Sequence, residues 1–262
     1  MIHASATVHP SAIVDAGARL KCGVSVGPYS IIGSEVELGE DTSIGPHVVI
    51  TGQTRLGRKN RVFQFASVGE EPQDKKYAGE PACVEIGDGN TIREYCTINR
   101  GTEAGGGLTR LGDNNWVMAY VHVAHDCVVG NDIVMANGTT LGGHVTVGDH
   151  AVLGGFTLVH QFCRIGAHCM AGRGAVLVQD VAPYVTVAGN PPASFGINAE
   201  GLRRRGFSAD TLARLKRAYK VIHKRGLGPA EAVEQLRAEA AACEEVALMC
   251  AFVADSKRGY VR

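Results

Sequence analysis

The sequence predicts a mainly β chain, a parallel β-helix of six-residue repeats followed by a C-terminal helical domain. Three observations carry this. Aliphatic residues recur every sixth position from Ile2 through Val8, Val14, Leu20 and onward to Val68, and again from Ile86 to Ile98 and from Leu111 to Leu177. The residue two places before each of them is small, as at Ala6, Ala12, Ala18, Ser30 and Thr42. From Ser208 the apolar spacing changes to that of a helix.

A period of six is neither the 3.6 of a helix nor the 2 of a flat strand. It fits a short strand and a corner, repeated, with three hexads closing a triangular coil of 18 residues. Each coil satisfies its backbone groups with the coils above and below, roughly 4.8 Å away. Cys96, Cys127, Cys163 and Cys169 fall in the small slot and read as small apolar side chains. With no C-x-x-C pair and no secretory signal, the eight cysteines are expected to be reduced thiols.

Two segments break the rhythm, at about 69–84 ("GEEPQDKKYAGEPAC") and 99–110 ("NRGTEAGGGLTR"), and both are expected to project as loops. The second carries a phase slip of one residue, which only an excursion from the coil absorbs. The β-helix is placed at residues 1–190 and the helical domain at 191–262. There, Leu212, Leu215, Tyr219 and Ile222 share a face behind an N-cap at Ser208, Pro229 opens a second helix, and "EEVALMCAFV" forms a third.

The chain has 26 basic and 26 acidic residues, with 13 Lys/Arg against 8 Asp/Glu in residues 199–262. This mild asymmetry suits a phosphorylated small molecule or an acidic carrier, and no nucleic acid partner is expected. No run of 18 apolar residues exists, so no transmembrane segment is expected and the location is read as cytoplasmic.

Residues 18 apart stack, so His125, Gly143 and Gln161 form one column, with Asp126, His144 and Phe162 on one side and Ala124, Gly142 and His160 on the other. His122 lies just upstream. A histidine beside an aspartate suits a general base near neutral pH, and Gly143 offers an unobstructed N–H to a developing oxyanion. Read alone, corner histidines are solvated turn residues; clustering favours chemistry. One other reading stays open, a zinc site of the carbonic anhydrase type built on three histidines; a scaffold that only presents a binding surface fails to explain the histidine cluster.

The segments "YVHVAHDCVVG", "GGHVTVG", "VHQFCRIGAH", "QFASVGEEPQDKKYAGEP", "RGT" and "GINAEGLRRRGFS" resemble, over nearly the whole chain, the acyl-carrier-protein-dependent UDP-N-acetylglucosamine O-acyltransferases of lipid A synthesis. The resemblance implies a left-handed coil, a homotrimer with sites between neighbouring subunits, no cofactor and no metal. The substrates it implies are UDP-N-acetylglucosamine and 3-hydroxyacyl-acyl carrier protein. By the same resemblance His125 is the general base, Asp126 orients it and Gly143 is the oxyanion donor. Gln73, Asp74, Lys76, His122 and His144 match substrate contacts. His160, Gln161, Asn198, Glu200, Arg204 and Arg205 match nucleotide-binding positions, where arginine forks suit a diphosphate. Arg173 stands at the position of the acyl-length ruler and suggests a shorter acyl group. The later N-acyltransferase of the same pathway shares the repeat but normally carries an extra N-terminal domain, for which hexads starting at Ile2 leave no room.

Overall fold

The computed structural model describes all 262 residues. Its body is a left-handed parallel β-helix of three sheets with 11, 9 and 8 strands. The first sheet begins with Thr7–Val8, the second with Ile13–Val14 and the third with Arg19–Leu20, and each then repeats one coil further on. Most strands are two residues long, with the second residue pointing inward, so no strand is stable by itself. What holds them is register: Thr7 pairs with Ser25 and Val8 with Val26, an offset of 18.

The six-residue aliphatics fill the prism. Ile32, Leu38, Ile50, Leu56, Ile92, Ile98, Leu141 and Leu153 are fully buried. The small slot lies inside each corner, where Cys96, Cys127, Cys163 and Cys169 are buried beside Ala18, Ala66 and Ala151. Polar residues in that slot bond to the turns around them: Ser30 Oγ donates to the Gly45 carbonyl, Thr42 Oγ1 to that of Gly57 and Asn60 Nδ2 to that of Gly87. At the corners many residues sit at positive φ, and one such column stacks Tyr29, His47, Phe65, Tyr95 and Tyr120 at centroid spacings of 4.9–5.3 Å.

Both expected loops project, each shorter than the interrupted rhythm suggests, because strands run on at both sides. Ser67–Glu70 and Cys83–Ile86 flank the first, and Thr97–Asn99 and Leu108–Leu111 flank the second. The register offset is 30 across the first loop and 25 across the second, in place of 18. The loops therefore hold 12 and 7 extra residues; two whole hexads leave the phase intact, and seven give the slip of one.

The sheet continues past Pro183. Val185–Ala188 lies on the last coil, and Ala193–Ile197 returns antiparallel to it. Five helices follow: α1 Ala199–Arg204, α2 Ala209–Lys224, α3 Pro229–Gln235, α4 Arg237–Ala241 and α5 Glu244–Ala254. Ser208 caps α2, its Oγ accepting from the Thr211 N–H, and Leu212, Leu215, Tyr219 and Ile222 are buried along it. The short α1 and α4 were not expected from the sequence. No helix is long and apolar enough to cross a membrane.

All eight cysteines are free thiols, and burial pushes Cys96 and Cys163 up to about 11 and Cys127 and Cys169 up to about 12. A thiol-alkylating reagent at pH 8 is expected to label exposed Cys22 in the native protein and to reach these four only after unfolding, as mapped by peptide mass spectrometry. His223 is buried in the bundle, stacked on Tyr219 and edge-on to Tyr260, and burial lowers it to about 4. Because only the unfolded chain takes up this proton between pH 6.5 and about 4, stability falls as the pH falls across that window. The expected slope is up to about 1.4 kcal/mol per pH unit for this one group. Urea titrations at pH 7.5 and 5 check this, with His223→Phe expected to flatten the dependence.

Candidate active site

The corner between the second and third sheets carries the chemistry. The chain leaves strand His122–Val123, turns through Ala124, His125 and Asp126, and enters strand Val128–Val129. Asp126, His144 and Phe162 occupy equivalent positive-φ positions in successive coils. The His144 N–H donates to the His125 carbonyl and the Phe162 N–H to that of Gly143, each at 3.0 Å. The columns expected from the 18-residue period are those of the structure.

His125 Nδ1 lies 2.7 Å from Asp126 Oδ2, and the Asp126 side chain is buried. An ionised carboxylate accepts, so Nδ1 carries the proton and Nε2 keeps its lone pair. The imidazole sits over Gly143, where an added Cβ would stand 2.6 Å from His125 Cε1 and 2.7 Å from Nε2. Only glycine leaves that seat free, and its N–H donates to nothing within the chain. His144 stacks on Phe162 at 4.3 Å and meets His125 edge-on at 5.1 Å. Burial lowers the titration of both His122 and His144, and His122 Nδ1 is 2.7 Å from Thr97 Oγ1.

A cleft of about 920 Å³ opens over this corner, lined by His125, His144, Gln161 and Phe162 on one side and by Gln73, Asp74, Lys76 and Tyr77 of the first loop on the other. Arg100 ties that loop to the body, with Nε donating to the Tyr77 hydroxyl, Nη1 to the Gly69 carbonyl and Nη2 to Glu71. Arg100 and Thr102 belong to the family-like "RGT" segment, but the sequence assigned neither a role, and Thr109, which with Thr102 holds Asp126, did not stand out. Thr102 donates both its N–H and its Oγ1–H to the Asp126 carboxylate, at 2.9 and 2.7 Å, and Thr109 Oγ1 accepts the Asp126 N–H.

The remaining expected positions lie outside this cleft. His160 Nδ1 is 3.3 Å from Arg258. Asn198 caps α1, its Oδ1 accepting from the Gly201 N–H and its Nδ2 donating to the His168 carbonyl. Glu200 pairs with Arg203 and Arg204, and Arg205 Nη1 lies 2.7 Å from His150 Nδ1. Asn198, Glu200, Arg204 and Arg205 gather at a different corner from His160, where His150, His168 and Tyr184 stack, between the third and first sheets. Arg173 is exposed on a turn at the third corner.

His125, Asp126 and His144 place one possible metal-ligand atom each within 4.8 Å of one another. Both Asp126 oxygens already accept hydrogen bonds from Thr102 or His125, and His122, a third histidine for a zinc site, faces Thr97. The donor set fits an oriented base better than a metal.

A coiled scaffold of hexads with an aspartate-held histidine in a side cleft defines a hexapeptide-repeat transferase. The hexapeptide model of bacterial transferases matches residues 17–52 and 109–143, and the second-domain model of UDP-N-acetylglucosamine O-acyltransferase matches residues 180–261. The chain is 59% identical to the acyl-[acyl-carrier-protein]–UDP-N-acetylglucosamine O-acyltransferase of Paracidovorax citrulli, covering 98% of this chain and 99% of that one. To the enzyme of the same name from Thiobacillus denitrificans it is 54% identical, covering 98% and 100%. The crystal structure of UDP-N-acetylglucosamine O-acyltransferase from Moraxella catarrhalis superposes with a TM-score of 0.96 at 45% identity, covering 97% of this chain and 99% of that one. The chain belongs to the family of acyl-[acyl-carrier-protein]–UDP-N-acetylglucosamine O-acyltransferases.

At pH 7, His122 and His144 are expected to be neutral. Carbon-detected NMR of the ring Cε1 resonances should give both midpoints below the ordinary imidazole value of about 6.5.

Proposed function

We propose that this chain transfers a 3-hydroxyacyl group from acyl carrier protein to the glucosamine 3-hydroxyl of UDP-N-acetylglucosamine, the first step of lipid A biosynthesis, with His125 as general base. The observation that carries this is the 2.7 Å contact of His125 Nδ1 with buried Asp126, which leaves Nε2 unprotonated at the cleft. Nε2 takes the proton of the sugar hydroxyl as its oxygen attacks the thioester carbonyl. The Gly143 N–H faces the resulting oxyanion. When the tetrahedral intermediate collapses, the carbon–sulfur bond breaks and the imidazolium returns its proton to the departing thiolate. Asp126 holds the tautomer that makes both transfers possible, while Gln73, Asp74, Lys76, His122 and His144 contact the sugar and acyl chain.

The nucleotide falls to His160, Gln161, Asn198, Glu200, Arg204 and Arg205. Since the last four sit at another corner from His125, this assignment requires a second subunit to bring its α1 end to the cleft. A homotrimer working in the cytoplasm meets that need. The exposed column of Tyr29, Phe65, Tyr95 and Tyr120 supports association, because apolar rings in a continuous stack are costly to leave in water. Arg173, also exposed, is assigned to the far end of the acyl chain and favours a shorter hydroxyacyl group.

Acyl transfer from hydroxyacyl carrier protein to UDP-N-acetylglucosamine tests the assignment. His125→Ala is expected to lower kcat by at least roughly a hundredfold, in the range of general-base catalysis, and chelators are expected to leave the wild type unaffected. Arg204→Ala should raise KM for the UDP-sugar with little change in kcat. Sedimentation equilibrium should return three copies; a monomer with full activity would refute the shared nucleotide site. A preference for the longest acyl chain in a series would remove Arg173 from its role.

A further inference from the structure

The second loop leaves the coil for seven extra residues and folds back on Asp126. Its end is closed by the Gly105 and Gly107 N–H groups, which both donate to the Thr102 carbonyl, and it is stitched to the strand after the first loop where the Cys83 N–H donates to the Gly107 carbonyl at 2.8 Å. The fit over the carboxylate is tight: a Cβ on Gly105 would stand 2.0 Å from Asp126 Cγ. Thr102 is buried, 5% exposed, and reaches both oxygens, its N–H to Oδ1 at 2.9 Å and its Oγ1–H to Oδ2 at 2.7 Å. Oδ2 is the atom that receives the His125 proton donor.

One hydrogen bond lets a carboxylate swing; two from the same residue, one to each oxygen, fix its plane. With Oδ1 held by the backbone and one lone pair of Oδ2 held by the hydroxyl, the remaining direction at Oδ2 is the one His125 Nδ1 occupies. Hydrogen bonds to an ionised acceptor are the strong class, and here they are made out of water, where they are screened least.

We propose that Thr102 is a positioning residue for the transfer reaction, clamping Asp126 so that the carboxylate holds the His125 imidazole with Nε2 toward the sugar hydroxyl. The proposal rests on the reading of His125 as general base. It also explains why the second loop leaves the coil, since its backbone turn delivers a threonine to a carboxylate that the coil by itself leaves uncovered. Thr102 also lines the cleft, but its hydroxyl is committed to Asp126, so the loss of that hydroxyl lowers turnover and leaves substrate affinity alone.

The test is steady-state kinetics of the full-length protein with Thr102→Val and Thr102→Ser, alone and in an Asp126→Asn background. The valine variant keeps shape and the backbone N–H and removes the hydroxyl proton. We expect kcat to fall about tenfold, the size of one hydrogen bond to a charged group, with KM for UDP-N-acetylglucosamine unchanged and the melting temperature lowered by only about a few degrees. Serine is expected to restore most of the rate. In the Asp126→Asn background the valine substitution is expected to cost little more, because the charge it positions is gone.

Wild-type kcat in Thr102→Val, or an equal loss with and without Asp126, overturns the assignment. Activity surviving in His125→Ala removes instead the general-base reading beneath it, so the two failures are distinct. Should Thr102→Val not fold, Gly105→Ala drives a methyl group into the same carboxylate and is expected to lower kcat at constant KM. An unchanged kcat there overturns the clamp.

Discussion

Every feature of this molecule depends on the hydrogen-bonded register between one coil and the next. A strand of two residues has almost no stability of its own, and each is held by partners in the neighbouring coils, 18 residues away wherever no loop intervenes, as in the pairing of Ser25 with Ser43 and Val26 with Ile44. Because those bonds run along the prism, losing the register at one coil removes support from both neighbours. The inward aliphatics and the small corner slot follow from this: a side chain too large at Cys127 or Ala151 would push apart the very turns that set the spacing.

The same register builds the site. Chemistry that in other folds is gathered from distant loops is here a column, because His125, Gly143 and Gln161 are forced to the same place on three successive coils. A glycine directly above His125 gives the imidazole a seat, and a rigid corner turns histidines that would otherwise be solvated into an oriented pair. The two loops then complete it from the side, one supplying Gln73, Asp74 and Lys76 to the cleft and the other closing over Asp126.

The prism was legible in the sequence because its rule is strictly periodic and each inner position has one chemical requirement. The histidine column was legible for the same reason, by counting. What escaped was aperiodic. Thr102 lies in "RGTEAGGG", where no spacing marks a partner 24 residues on, and Thr109 is disguised as an ordinary slot residue. Helices α1 and α4, of six and five residues, are too short to show a face. Asn198, Glu200, Arg204 and Arg205 stand out by resemblance to a family, yet a linear sequence does not say at which corner they fall or which copy of the chain they serve.

The lengths of the two loops say something about how such a chain can change. Twelve extra residues and seven extra residues are both accommodated, since each excursion ends by pairing onto the next face of the preceding coil, Cys83 against Gln53 and Leu108 against Cys83. At a corner, then, length is free. Within a hexad it is not: one added residue would turn each later inward side chain outward and carry Gly143 out from beside His125. Novelty can enter this architecture by outgrowth at its edges, and the walls keep their count.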